Sequence, residues 1–331
     1  MRKPAILAVL LAATLVLAAC GGDGGQGARA VTLTLNWYPY GEHAPFYYGV
    51  AQGIFAKHGI DLKIQAGQGS GKTVQAAAAN QTDFGWADTS ALAVAVEQGV
   101  AVKSVGVFLQ TTPASVQFFQ EKNIRKPQDL KGLKVATTAG DALTKTFPAF
   151  LKQNGMAETD VQIQNIDPAG KMAAVLSGRA DVLLGFASDQ GPTIQEKAGK
   201  PVSYLRFSEF GLNYYSNGLI TSGGKLAKDP DLVKRMVTAT AEAWSAAEKD
   251  PKAAVDTMKG ASQQLPSPAV LLEQFKTTVT LLHTDATKAS GPGVNSAADW
   301  KSTIDTFLRT GVITKAQDPG AYWEESVAPQ G

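Results

Sequence analysis

Cysteine is almost missing, with Cys20 the one copy in 331 residues. The rest of the chain can therefore form no disulfide framework, no cysteine-ligated metal site and no cysteine nucleophile, and the fold must hold by its core. Histidine is nearly as scarce, at three copies, and His43 has no second histidine at ligand spacing, which argues against a metal centre. Excess charge of either sign is missing too. Once Arg2 and Lys3 are set aside, 29 basic residues face 29 acidic ones, whereas a nucleic-acid binder or a polybasic membrane protein would carry surplus positive charge. No apolar run is long enough to span a bilayer. The longest, residues 5–17, falls short of the roughly 20 residues a transmembrane helix needs. Nor does any Ser/His/Asp order, paired-carboxylate motif or metal cluster stand out, so no enzymatic activity, cofactor or nucleic-acid partner is expected.

What is present begins with an export signal. Two basic residues precede the apolar stretch, which ends in Leu17-Ala18-Ala19-Cys20, small residues before a lone cysteine. The segment resembles the lipobox of bacterial lipoproteins, in which Cys20 would become the acylated first residue of an exported, membrane-anchored protein. Removal of residues 1–19 leaves 312 residues, enough for two domains. Residues 20–30 read as a glycine-rich tether. They contain a formal G-x-G-x-x-G from Gly22 to Gly27, but no strand precedes it, and the dinucleotide reading fails on that context.

From Val31 onward short β-rich runs alternate with helical patterns: strand-like at 31–35, 61–64, 83–87 and 102–108, helical at 44–57, 72–80 and 90–98. A second series follows, strand-like at 134–137, 161–165 and 181–186 and helical at 143–153, 171–177 and 189–198. Such alternation predicts an α/β fold of mostly parallel sheets flanked by helices. Beyond about Gly223 the pattern is almost wholly helical. A shift of 98 residues places Val74 on Met172, Ala77 on Val175, Asn80 on Gly178 and Asp83 on Asp181, which suggests two similar lobes. The runs 105–110 and 115–120 sit on either side of Thr111-Thr112-Pro113, and the run 214–221 rejoins the terminal helices. Two crossings between lobes make a hinge. The expected division is residues 31–112 in lobe 1, 113–213 in lobe 2, and 214–331 returning to lobe 1, as a monomer with its binding site in the cleft.

Ala66-Gly67-Gln68-Gly69-Ser70-Gly71-Lys72-Thr73 satisfies a relaxed Walker A pattern and stands between a strand and a helix. Against a nucleotide triphosphatase stand the export signal and the want of a second aspartate for Mg²⁺. A strand-to-helix turn of this composition still offers backbone N–H groups to a polar ligand, which makes Ser70, Gly71 and Lys72 cleft candidates.

The run from Leu35 to Tyr47, LNWYPYGEHAPFY, followed by Gly53-Ile54-Phe55 and Gly59-Ile60-Asp61-Leu62, resembles the opening of the family that binds thiamine pyrimidine precursors. Wider relatives of that family bind riboflavin, sulfonates, taurine or nitrate. The resemblance extends through Asp83-Phe84-Gly85 and Gly178-Arg179-Ala180-Asp181. It implies a two-lobed periplasmic-binding-protein fold of type II, an ABC permease with its ATPase as partners, and no chemistry on the ligand. A eukaryotic branch of the family makes the pyrimidine with an active-site histidine, and His43 falls at the comparable place; the cysteine-rich motif of that branch is absent.

Aromatic residues crowd the expected cleft edge. Trp37, Tyr47, Trp86, Phe186 and Tyr214 suit a flat ligand, which offset stacking favours. The charges near the strand ends lean acidic, with Asp88, Asp141 and Asp189, and the arginines lie elsewhere, which favours a ligand bearing N–H donors over an anion. Asp88 and Asp141 could equally be helix N-caps, and His43 either a ligand donor or a structural histidine. The expected ligand-binding set is thus Trp37, His43, Tyr47, Ser70, Lys72, Trp86, Asp88, Asp141, Phe186, Asp189 and Tyr214. The best-fitting ligand is a thiamine pyrimidine precursor, with riboflavin, sulfonate, taurine or nitrate as alternatives and a secreted enzyme of pyrimidine-precursor synthesis as the alternative of another class.

Overall fold

A computed structural model describes residues 28–329; the export signal, Cys20 and most of the tether lie outside them. The chain begins with β1 (Arg29–Thr34), α1 (Ala44–Ala51), α2 (Ile54–Lys57), β2 (Ile60–Gln65), α3 (Ser70–Ala78), β3 (Phe84–Asp88), α4 (Thr89–Glu97) and β4 (Val102–Val107). It then crosses to β5 (Ala114–Phe119), β6 (Lys134–Thr137), α5 (Leu143–Gln153), β7 (Gln162–Asn165), α6 (Lys171–Leu176), β8 (Val182–Phe186), α7 (Gln190–Ala198) and β9 (Val202–Arg206). A second crossing leads to β10 (Asn217–Ser222), followed by α8 (Gly223–Lys228), α9 (Pro230–Lys249), α10 (Pro251–Asp256), α11 (Pro268–Val279), α12 (Ala297–Thr310) and α13 (Pro319–Tyr322).

Two five-stranded sheets result, ordered β2-β1-β3-β10-β4 and β7-β6-β8-β5-β9. Their pairings match strand for strand. In each sheet one strand runs antiparallel to the other four, β10 in the first and β5 in the second, and each is the strand entered from a crossing. β3 and β8 are buried at every residue, as expected of central strands covered on both faces. The fold is α/β and two-lobed, each lobe a mostly parallel sheet with flanking helices.

The 98-residue repeat has a physical basis in an aspartate that opens the central strand of each sheet. Asp83 Oδ2 accepts from the Thr32 backbone N–H at 2.8 Å and Asp181 Oδ2 from that of Lys134 at 2.9 Å, so each fastens its strand to the neighbouring β1 or β6. The other carboxylate oxygen pairs with Lys225 in one lobe and Lys122 in the other. Preceding them, Asn80 (φ +55°) and Gly178 (φ +72°) take the left-handed conformation that ends the helix before.

The single helix expected over 44–57 is two, because Gly53 turns the chain at φ +67°, a conformation glycine adopts without a Cβ clash. α9 starts cleanly: the Asp229 side chain caps the Leu232 N–H, with Pro230 at the first position. Its apolar stripe of Leu232, Val233, Met236, Val237 and Trp244 joins the lobe 1 core, where Trp244 stacks on Trp86 with ring centroids 5.6 Å apart.

The two crossings lie side by side and bond to one another. Phe108 N and Leu109 N donate to Asn217 O, Ser216 N to Leu109 O, and Thr112 N to the Asn213 side chain. The C-terminal region braces them, through Gln110 N to Leu281 O and Tyr215 N to Thr303 Oγ1.

Candidate functional site

Between the lobes lies a cavity of about 30 Å³, room for a water molecule or two and far less than the ~300 Å³ at the low end of ligand pockets. Ligand entry therefore requires the lobes to part. Its wall comes from strand C-termini and helix N-termini, where open α/β sheets gather ligands. Lobe 1 supplies Asn36, Trp37 and Tyr40 after β1, with Gly69 and Ser70 at the start of α3. Lobe 2 supplies Asp141, Ala142 and Leu143 opening α5, Lys171 opening α6, Gly185 and Phe186 ending β8, and Asp189 and Gln190 opening α7.

Trp37 is the part-exposed flat surface of the site. Lys171 Nζ lies 4.8 Å from the centre of its ring, within cation–π range. That ammonium is buried, 3.4 Å from Asp141 Oδ2 and 2.9 Å from the Leu184 carbonyl. Asp141 also accepts the Leu143 N–H at 2.9 Å, so it fastens the backbone that opens α5 as well as lining the wall. Burial pushes the Asp189 carboxyl up to about 8; Lys171 pulls the other way and Glu42 adds repulsion. The buried Gln190 Oε1 has no hydrogen-bond partner, an acceptor left over at the cavity. It lies where a Cβ on residue 185 would fall only 2.1 Å away, space that Gly185 leaves open for it.

Behind this wall sits a second layer. His43 is fully buried, accepts the Tyr40 backbone N–H at Nδ1 and donates from Nε2 to Asn36 Oδ1 at 2.7 Å. Burial holds its pKa down to about 3, so the imidazole is neutral and fixes Asn36 through its Oδ1. Glu42, also buried, accepts from the Tyr40 hydroxyl, from Trp86 Nε1 at 2.6 Å and from Asn217 Nδ2. Burial raises it to about 6 despite these three donors.

Of the residues singled out in the sequence, Trp37, Ser70, Asp141, Phe186 and Asp189 meet at this cavity. The others do not line it. His43 stands behind Asn36, and Tyr47 packs half-buried on the lobe 1 core. Lys72 is exposed and reaches back to Gln68. Trp86 is fully buried among Phe46, Phe108 and Trp244 because its side of β3 faces the core helices. Asp88 caps α4 through Ser90 N and takes the Ser216 hydroxyl, and Tyr214 packs on Phe307 in the core.

The Walker-like turn forms no phosphate cradle. Gly67 N is spent on Trp37 O, Gly69 N on Asn36 O and Gly71 N on Gly140 O. Gly67 is required for another reason, since a Cβ there would lie 1.8 Å from Leu35 O.

The acidic reading of the site omitted Lys171. Its signal was present in the sequence, because Lys171 shares the buried stripe of α6 with Ala174 and Val175, an unusual place for a lysine. Asn36 and Gln190 flank residues that were singled out and were also missed.

Residues 41–254 match the family model described as NMT1/THI5 like. The chain belongs to that family. Among family relatives it resembles the riboflavin-binding protein RibY of Chloroflexus aurantiacus, 25% identical over 92% of this chain and 87% of that protein. It also resembles the formylaminopyrimidine-binding protein of Halalkalibacterium halodurans, 21% identical over 89% of this chain and 90% of that one. One further relative, from Legionella pneumophila, is named as a pyrimidine phosphate synthase. In fold the chain matches the alkanesulfonate-binding protein SsuA of Xanthomonas axonopodis pv. citri bound to MOPS, with a TM-score of 0.68 at 15% identity over 90% of this chain and 99% of that one. No helix among the described residues is long and apolar enough to cross a membrane.

Proposed function

We propose that this chain is the extracytoplasmic, lipid-anchored solute-binding component of an ABC import system, and that it captures a small neutral planar ring, best matched by a pyrimidine precursor of thiamine. Solute binding is the common theme of its relatives, and the lipobox at Cys20 supports the anchor and the permease partnership.

The observation that carries the ligand class is charge balance in the cavity. Lys171 is answered by Asp141, and Asp189, raised to about 8, is protonated at neutral pH. Net charge at the wall is then near zero, and no arginine lines it, so a sulfonate or nitrate would find no uncompensated cation. A protonated carboxyl presents a donor beside an acceptor, which matches a ring nitrogen flanked by an amino group. Gln190 Oε1 offers a further acceptor, and Trp37 a face on which to stack. Riboflavin is the second reading, favoured by the RibY relative; its larger ring would use the same wall with the lobes further apart. Ligand turnover is not proposed: His43, the residue comparable to the enzyme branch's histidine, is sealed behind Asn36.

Thermal unfolding with a ligand panel tests this. A bound ligand at a hundredfold excess over Kd stabilises by about 2.7 kcal/mol. The expected shift is with 4-amino-5-hydroxymethyl-2-methylpyrimidine or its formylamino analogue, and then riboflavin. A shift with taurine or nitrate and none with any ring would sink the neutral-ring reading.

A further inference from the structure

The family match ends at residue 254, yet a helix beyond it reaches the cleft. α11 packs against the turn of Tyr40, Gly41 and Glu42 so closely that a Cβ on Gly41 would lie 2.4 Å from Leu271 O and 2.5 Å from Gln274 Cβ. The Gln274 side chain is fully buried there. Its Oε1 accepts the Gly41 backbone N–H at 2.9 Å, on the lobe 1 side. Its Nε2 donates to the Asp189 carbonyl at 2.7 Å, on the lobe 2 side, with the Thr193 hydroxyl 3.4 Å away. One planar amide thus bridges the lobes, and each end holds the backbone at or beside a cavity residue, Tyr40 on one side and Asp189 on the other.

We propose that Gln274 is the pin of the closed cleft: a positioning residue that ties the Tyr40 turn to the Asp189 backbone and holds the lobes together over the captured solute. The assignment rests on the cleft being the binding site, as argued above. Its amide suits the task because the acceptor and donor ends are distinct and both are used. Opening the lobes must break the Asp189 bond, whereas the Gly41 bond can stay with lobe 1. Closure then depends on a helix that contributes nothing to the cavity wall, and the bond adds to ligand retention without touching the ligand.

Two variants separate the ends of the amide. Gln274→Glu keeps an acceptor for Gly41 and removes the donor toward Asp189, while Gln274→Met keeps the length and removes both. Stopped-flow tryptophan fluorescence with 4-amino-5-hydroxymethyl-2-methylpyrimidine reads association and release, and small-angle scattering reads the radius of gyration of the same ligand-free proteins. Both variants are expected to release the probe about tenfold faster, the effect of one buried hydrogen bond, with association changed by less than about threefold. A residue that only held the fold would change how much protein binds, not how fast the folded protein lets go. Wild-type release rates in both variants would overturn the assignment. Should the wild-type protein fail to bind this pyrimidine, the ligand reading falls alone and scattering decides: Gln274→Met more expanded than wild type supports the pin, and equal radii overturn it.

Discussion

Asp189 carries the sharpest consequence of any single residue. Its carboxyl holds its proton to about pH 8 when folded, against an ordinary value of 3.8. Between those values the folded chain binds more protons than the unfolded one, so stability present at low pH is lost as pH rises through the folded value. Glu42 and Asp88, both raised to about 6 by burial, act the same way over a lower window. His43 acts oppositely: depressed to about 3 from 6.5, it weakens the fold as pH falls through that interval. Above pH 6.5 Asp189 therefore dominates these four. Urea denaturation should show the wild-type protein losing about 1–2 kcal/mol between pH 6.5 and 8 and Asp189→Asn losing almost none. Parallel profiles would show that the carboxyl is not buried as described. Trp37 is part-exposed, so Trp37→Ala should leave the urea midpoint nearly unchanged and weaken pyrimidine binding roughly tenfold, the stacking contribution, by calorimetric titration. Residue type and place in the pattern singled out both in the sequence, and both line the cavity. It misplaced Trp86, because an aromatic at the end of a strand reads the same whether its face of the sheet looks toward the cleft or toward the helices that bury it.

At the scale of elements, periodicity and caps located the strands and helices well wherever a single pattern ruled. α5 falls where the apolar spacing put it, and Asp83 and Asp181 marked the same strand twice because each performs the same backbone fastening. The misses came from glycine and from long-range contact. Gly53 broke a helix that its flanking residues would have continued. The Walker-like turn looked like a phosphate cradle because its sequence specifies a tight turn, and only the packing shows that the Gly67, Gly69 and Gly71 N–H groups are taken by Trp37, Asn36 and Gly140. Gly71 makes this testable. Its helical backbone carries no strain, but a Cβ there would lie 2.9 Å from Gly140 O across the cleft and touch nothing else within 3.5 Å. Gly71→Ala should therefore keep or slightly raise stability, since alanine favours helix by up to about 1 kcal/mol, while weakening ligand binding several-fold. A loss of stability with unchanged affinity would place the contact inside lobe 1 folding instead of closure.

For the whole molecule, the matching strand orders of the two sheets, the paired crossings and the small cavity describe two lobes shut on one another. The two-lobed plan was legible because alternating βα patterns and a repeat are local features. The part played by the C-terminal helices was not, because a helical run carries no sign of which distant backbone its side chains will reach; Gln274 meets Gly41 across 233 positions. The same geometry gives closure its meaning. A cavity that admits little more than water must open to load, and the hydrogen bonds spanning it, Gly71 to Gly140 and Gln274 to Asp189, re-form on loading. A crystal structure of the protein with 4-amino-5-hydroxymethyl-2-methylpyrimidine tests the central claim most directly. The ring should lie on Trp37, with its amino edge on the Asp189 carboxyl and both lobes in contact with it. A ring bound elsewhere, or a cleft left empty at saturating ligand, would contradict the account.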